Sequence, residues 1–151
     1  MRTEKMKAAM VKACNYCAYQ ERTQQEVRDK LYDLGLFSDE VEDVLSQLIT
    51  ANFVNEERYA KAFASGKFRL KRWGRQKILF ELKRRKISPC CTKKAMLEIP
   101  QDAYEEVLQQ LIEQKSRTYS GNAYTIKNKI ARYLINKGYE CELVWAALEH
   151  R

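Results

Sequence analysis

Cys14 and Cys17 stand three residues apart, the spacing at which two thiolates can open a zinc site. No second pair at ligand spacing follows, and both fall in a helical pattern with Met6, Met10 and Ala13, so they read as small core residues. Five cysteines in all, an odd number with Cys90 and Cys91 adjacent, make no disulfide framework and suit a reducing compartment. His150, the single histidine, is next to the C-terminus, which disfavours a His-dependent nucleophile or general base. The glycines Gly35, Gly66, Gly74, Gly121 and Gly138 are too far apart for a phosphate-cradling loop. The pairs Glu56 with Glu57 and Glu105 with Glu106 read as negative charge at helix N-termini. The expectation is a protein that is not an enzyme, with no metal and no cofactor.

Binding chemistry is better represented. From Arg58 to Lys94 there are fourteen Lys and Arg against the single acid Glu81, a net +13. The remainder of the chain therefore sums to −5 within an overall charge of +8. Like charges at helical spacing repel by a few tenths of a kcal/mol per pair, at about 0.2–0.5, so an external polyanion must favour the arrangement. The candidate contact residues are Lys67, Arg69, Lys71, Arg72, Trp73, Arg75, Lys77, Lys83, Arg84, Arg85 and Lys86. Trp73, at a helix joint, could stack on a base or anchor an interface; burial in the joint is the commoner state of Trp and is expected here. Reversing Arg72, Arg75 and Lys77 leaves the apolar residues Ile78 and Leu82 in place, so the fold is expected to survive it.

The elements that must carry these residues repeat. Val27, Leu31, Leu34 and Leu36 superimpose on Ile78, Leu82, Arg85 and Ile87, then on Ile130, Leu134, Lys137 and Tyr139, at offsets of 51 and 52. Val44 and Leu45 fall on Ala95 and Met96, then on Ala147 and Leu148. Repetition near 50 residues marks stacked supersecondary units. Each unit reads as three helices; in the first they are Met6–Cys17, Val27–Leu34 and Val41–Ile49, with apolar residues at steps of three and four. Thr23 with Glu26 predicts a capping box, and Ser38 with Asp39 and Glu40 a second start. Gly35 and Gly138 predict helix stops; Asn55, Gly74 and Ser88 with Pro89 punctuate the middle unit. No alternating strand pattern occurs. The expected fold is all-α, an elongated array of three tandem three-helix repeats at 1–54, 55–99 (the basic middle) and 100–151.

The balance of 45% hydrophobic and 32% charged residues is that of a folding chain. The longest apolar runs fall far short of the roughly 20 residues a membrane span needs. Met1 to Lys12 carries Lys5, Lys7 and Lys12 among its apolar positions and so lacks the core of a secretion signal. A cytoplasmic protein with no membrane contact, and monomeric, is expected.

The stretch Phe53-Val54-Asn55-Glu56-Glu57-Arg58-Tyr59-Ala60, followed by Gly74-Arg75-Gln76-Lys77-Ile78 and Glu81-Leu82-Lys83, resembles the central motif of the RecX family of recombination regulators. Asn55 stands where the family often has Asp, and Lys86 where it usually has Gly before the Ile. The resemblance implies a negative regulator that lies in the groove of the RecA filament on single-stranded DNA and inhibits ATP hydrolysis and strand exchange. It would favour filament disassembly and act in DNA repair, with duplex DNA a further ligand. Arg69, Lys71, Arg72, Arg75, Lys77, Arg84 and Arg85 would make the electrostatic contacts, positioned by a core of Tyr59, Phe63, Ile78 and Leu82. A general DNA-binding helical module, or an adaptor for an acidic protein without nucleic acid, are the alternatives. Because no cysteine is assigned to a metal, a chelator is expected to leave the melting temperature unchanged in a thermal scan followed by circular dichroism. A large loss of stability would return Cys14 and Cys17 to metal binding.

Overall fold

The structure, a computed structural model, describes residues 3–149; His150 lies outside them. The described residues form nine helices and no strand: α1 (Glu4–Tyr19), α2 (Gln24–Asp33), α3 (Ser38–Thr50), α4 (Glu56–Lys71), α5 (Arg75–Arg84), α6 (Pro89–Met96), α7 (Gln101–Thr118), α8 (Ala123–Lys137) and α9 (Cys141–Glu149). None is long and apolar enough to cross a membrane. The chain divides into two compact units, Met1–Tyr59 and Ala60–Arg151.

In the first unit the 3.6-residue periodicity becomes a core. Met6, Ala9, Ala13 and Cys17 of α1 meet Val27 and Leu31 of α2 and Val41, Val44, Leu45 and Leu48 of α3, with Leu36 and Val54. Each full burial of a Val, Leu, Ile or Met side chain is worth about 1.5–3 kcal/mol. Cys17 belongs to this core and Cys14 packs at its edge; burial, then the neighbouring Cys14, pushes the Cys17 thiol up. Thr23 caps α2 in a reciprocal box, its Oγ1 accepting from the Glu26 N–H at 3.0 Å and its own N–H donating to Glu26 at 3.0 Å. The expected start at Ser38 shifts by one: Phe37 is the N-cap of α3, and the Glu40 carboxylate takes the Phe37 N–H at 2.8 Å. Phenylalanine has no side-chain acceptor, so Glu40 supplies the whole cap. At the start of α4, Asn55 accepts from the Arg58 N–H at 2.9 Å, and Arg58 pairs with Glu21 at 2.7 Å.

The three copies share one helix ending. Gly35, Lys86 and Gly138 occupy equivalent positions and all have left-handed backbones, with φ of 92°, 61° and 109°. Leu36, Ile87 and Tyr139 then donate to the carbonyls of Leu31, Leu82 and Leu134 at 3.2, 3.1 and 3.0 Å. Gly35, Lys86 and Gly138 donate to Tyr32, Lys83 and Ile135 at 2.9, 2.9 and 3.0 Å. This is a Schellman ending, which satisfies carbonyls that a helix C-terminus leaves orphaned. The residue after each turn is buried, as are Val27, Ile78 and Ile130 and the leucines four residues later. Only the start differs: α8 is capped by Asn122, whose side chain accepts from Thr125 at 2.8 Å, so it begins about a turn earlier than α2 and α5.

Within the second unit the start of α5 is built against the end of α8. The Gly74 and Gln76 N–H groups donate to the carbonyls of Lys137 and Gly138 at 2.9 and 2.8 Å. A Cβ on Gly74 would lie 2.2 Å from the Gly138 carbonyl carbon, and one on Gly138 2.5 Å from the Lys77 Cβ. Tyr139 donates its hydroxyl to the Arg72 carbonyl at 2.9 Å and stacks on Tyr104 with centroids 5.0 Å apart. Urea unfolding is expected to separate two backbone positions. Lys86→Gly removes left-handed strain and raises stability by about 1 kcal/mol, whereas Gly74→Ala forces two backbones apart and lowers it by about 3 kcal/mol or more.

Candidate nucleic-acid interface

The basic middle is not one uniform face. α4 carries Phe63 and Lys67 one turn apart, and the joint after it carries Trp73. The Phe63 and Trp73 rings meet edge to face, with centroids 6.2 Å apart. Lys67 Nζ lies 4.9 Å from the Trp73 centroid and 5.6 Å from that of Phe63; Lys77 Nζ lies 4.4 Å from Trp73, and the Arg85 guanidinium 4.7 Å from Phe63. Two aromatic rings thus hold three cations, each contact worth about 0.5–1 kcal/mol at exposed sites. Trp73, expected in the core of the joint, is only half-buried: the Lys67 and Lys77 ammonium groups lie over its ring and Phe63 meets it edge to face. Phe63, expected as core, is also half-buried and belongs to this cluster, whereas Tyr59, Ile78 and Leu82 are buried as expected.

Glu81 gathers one more cation, Arg84, at 2.8 Å, and also holds Arg85, at 2.5 Å. Those hydrogen bonds, Arg85's first, hold the Glu81 carboxyl below the usual range. Lys77, Arg84 and Arg85 share one flank of α5, and at 100° per residue Lys83 falls on the other. Arg69, Lys71, Lys83 and Lys86 are exposed, and Arg69 donates to the Ser65 carbonyl of its own helix at 3.4 Å. Among the described residues no carboxylate pairs with any of these four.

Two of the expected contact residues are engaged elsewhere. Arg75 donates to Glu140 at 3.2 Å and Gln101 at 2.7 Å, and lies 3.8 Å from the Tyr104 centroid. Its backbone N–H donates to the Tyr104 hydroxyl at 2.9 Å, and that hydroxyl donates to Glu140. Arg72 is left-handed, with φ 57°, and its guanidinium reaches Gln110 at 3.2 Å. Reversing Arg75 would therefore remove contacts at the joint between the middle and third helical groups, so the triple reversal disturbs that joint as well as the basic surface. A separation of 65 residues from Glu140 hid this role; the Phe63–Lys67 step of four was a signal that could have revealed the aromatic cluster. Glu105 and Glu106, read as helix-start charges, lie in the second turn of α7, where Asp102 occupies the first.

Family descriptions for the first, second and third three-helix domains of RecX match residues 9–48, 55–96 and 102–148. The chain belongs to the RecX family. It is 26% identical over 147 residues to a regulatory protein RecX of Bacillus cytotoxicus and 27% identical to one of Bacillus cereus, covering 97% of this chain and 54% of each relative. The chain thus spans about half the length of these curated relatives. A crystal structure of RecX from Lactobacillus salivarius superimposes with a TM-score of 0.87 at 24% identity, covering 97% of this chain and 96% of that one. A second RecX crystal structure gives 0.86 at 19% identity, over 98% of this chain and 73% of that one. The all-α fold of three tandem three-helix domains is therefore the fold of the family.

Burial, then the Glu140 hydrogen bond, pushes the Tyr104 hydroxyl well above the ordinary tyrosine range, and burial does the same to Tyr139. A raised folded value means that both stay protonated while the unfolded chain ionises near pH 10. Their contribution is complete below that pH and is lost above it, at about 1.4 kcal/mol per pH unit for each tyrosine. Urea midpoints between pH 9 and 11.5 are expected to fall accordingly, with a shallower fall in Tyr104→Phe.

Proposed function

We propose that the chain is a non-enzymatic negative regulator of the RecA recombinase, docking on the RecA filament on single-stranded DNA and restraining its ATPase and strand exchange. It acts as a cytoplasmic monomer built of repeats at 1–54, 55–99 and 100–151. The observation that carries this reading is the Phe63–Trp73 cluster with Lys67, Lys77 and Arg85, joined to the family relationship. Rings that hold cations in place present a prepared positive surface, which lowers the ordering cost of meeting phosphates or acidic side chains. Such a surface binds charge without reading base edges, as a filament regulator indifferent to sequence requires.

The test spares the joint. Lys67→Glu, Lys71→Glu and Lys77→Glu together change the local charge by six units and leave Arg75, Ile78 and Leu82 in place. With about four to six phosphates neutralised, log affinity for single-stranded DNA falls against log salt with a slope of roughly −3 to −4, and the variant flattens it. Inhibition of strand exchange and filament ATPase is expected to weaken in parallel. A variant that keeps its helical circular dichroism and still inhibits at the wild-type concentration overturns the proposal. DNA binding without any effect on filaments would instead mark a general DNA-binding module, and binding only to acidic protein an adaptor.

A further inference from the structure

Outside the middle domain, residues 115 to 139 hold six Lys and Arg and no acid. Their charge is invisible in any count over the third domain, because acids at the start of α7 and on α9 offset it. In the structure α7 packs beside α8. Ile130, Ala131 and Leu134 turn α8 inward; at 100° per residue, Tyr133, Lys129 and Arg132 fall on the opposite side, within an arc of about 100°. Lys115 of α7 lies 4.3 Å from the Tyr133 centroid and 5.9 Å from that of Tyr119, Lys137 lies 5.5 Å from Tyr133, and Lys129 lies 6.0 Å from Tyr119. Both rings are half-buried, and Lys129 and Arg132 are exposed. Among the described residues no carboxylate pairs with Lys115, Lys129, Arg132 or Lys137.

We propose that this surface of the third domain, Tyr119 and Tyr133 framed by Lys115, Lys129, Arg132 and Lys137, is a second contact for single-stranded nucleic acid, binding phosphates through its cations and stacking bases on its tyrosines. Two half-buried rings with lysines 4.3–6.0 Å from their centroids supply both π-surface and charge, the two features that bases and phosphates of a single strand engage. A duplex buries its base faces and would use only the charges, and an acidic protein would gain little from the rings. The ligand class follows the function proposed above, but the site is separate from the middle cluster.

The experiment uses the whole chain and a fluorescent thymidine 20-mer without recombinase, so that its failure leaves the filament reading standing. Anisotropy is read over a salt series, for the wild type and for a Lys67→Gln, Lys77→Gln protein in which two of the three cations of the middle cluster are removed. Stacking and charge then separate. Tyr133→Leu is expected to weaken binding about tenfold at every salt concentration, with the salt slope unchanged, and Tyr133→Phe to retain it. Lys129→Glu is expected to flatten the slope. If Tyr133→Leu binds as tightly as Tyr133→Phe, or if a duplex of equal length binds as tightly as the single strand, the proposal fails. It fails equally if Lys129→Glu leaves the slope unchanged, or if polyglutamate displaces the strand as readily from the wild type as from Tyr133→Leu.

Discussion

Everything in the second unit depends on two helix ends meeting without side chains between them. A helix start leaves N–H groups unsatisfied and a helix end leaves carbonyls unsatisfied. Here the start of α5 takes the last carbonyls of α8, so each end completes the other and opposite ends of two helix dipoles face one another. The contact exists only because Gly74 and Gly138 lack a Cβ, and Gly138 is required twice, since its left-handed φ also closes α8. Around this backbone contact Arg75, Tyr104 and Glu140 form a hydrogen-bonded set, and the stack of Phe68, Tyr104 and Tyr139 fills the space beneath. A partly buried ion pair such as Arg75 with Glu140 contributes more to geometry than to net stability. Its value is that it orients α5, and with α5 the cations Lys77, Arg84 and Arg85.

A helix carrying many like charges would normally leave them free and mobile. The middle domain instead uses Phe63 and Trp73 to hold Lys67, Lys77 and Arg85, and one carboxylate, Glu81, to hold Arg84 and Arg85. Rings neutralise no charge, so the positive potential survives while side-chain freedom is reduced. More acids would have ordered the cations equally well and cancelled them. The third domain repeats the device with Tyr119 and Tyr133, in a different pair of helices.

Periodic features were legible in the chain, because they depend on neighbours three, four or about fifty residues away. The buried Val27, Ile78 and Ile130, the box at Thr23 and the stops at Gly35 and Gly138 all follow from such spacing. Arg75 was not legible as a joint residue: a charge count treats every arginine alike, and its partner lies in another domain. Phe63 reads as core because apolar residues on an amphipathic helix usually are; Lys67 of its own helix and Arg85 at the end of α5 lie over it instead. The basic run of the third domain vanished into an average over a domain with acids at both ends.

Lys86 shows where these demands conflict. Gly35 and Gly138, its equivalents, adopt left-handed backbones at no steric cost, and Gly138 could carry no side chain in any case. At the middle position the same turn is made by lysine, against a penalty of about 1–2 kcal/mol for a residue with a Cβ. The turn hydrogen bonds are nonetheless complete, with Lys86 on Lys83 and Ile87 on Leu82, so the geometry of the repeat is intact. What the substitution adds is an exposed cation beside Lys83 in the stretch from Arg58 to Lys94, whose charge is almost entirely of one sign. Foldability alone would place glycine there; the lysine is explained by the surface, where potential is gained at the expense of backbone strain.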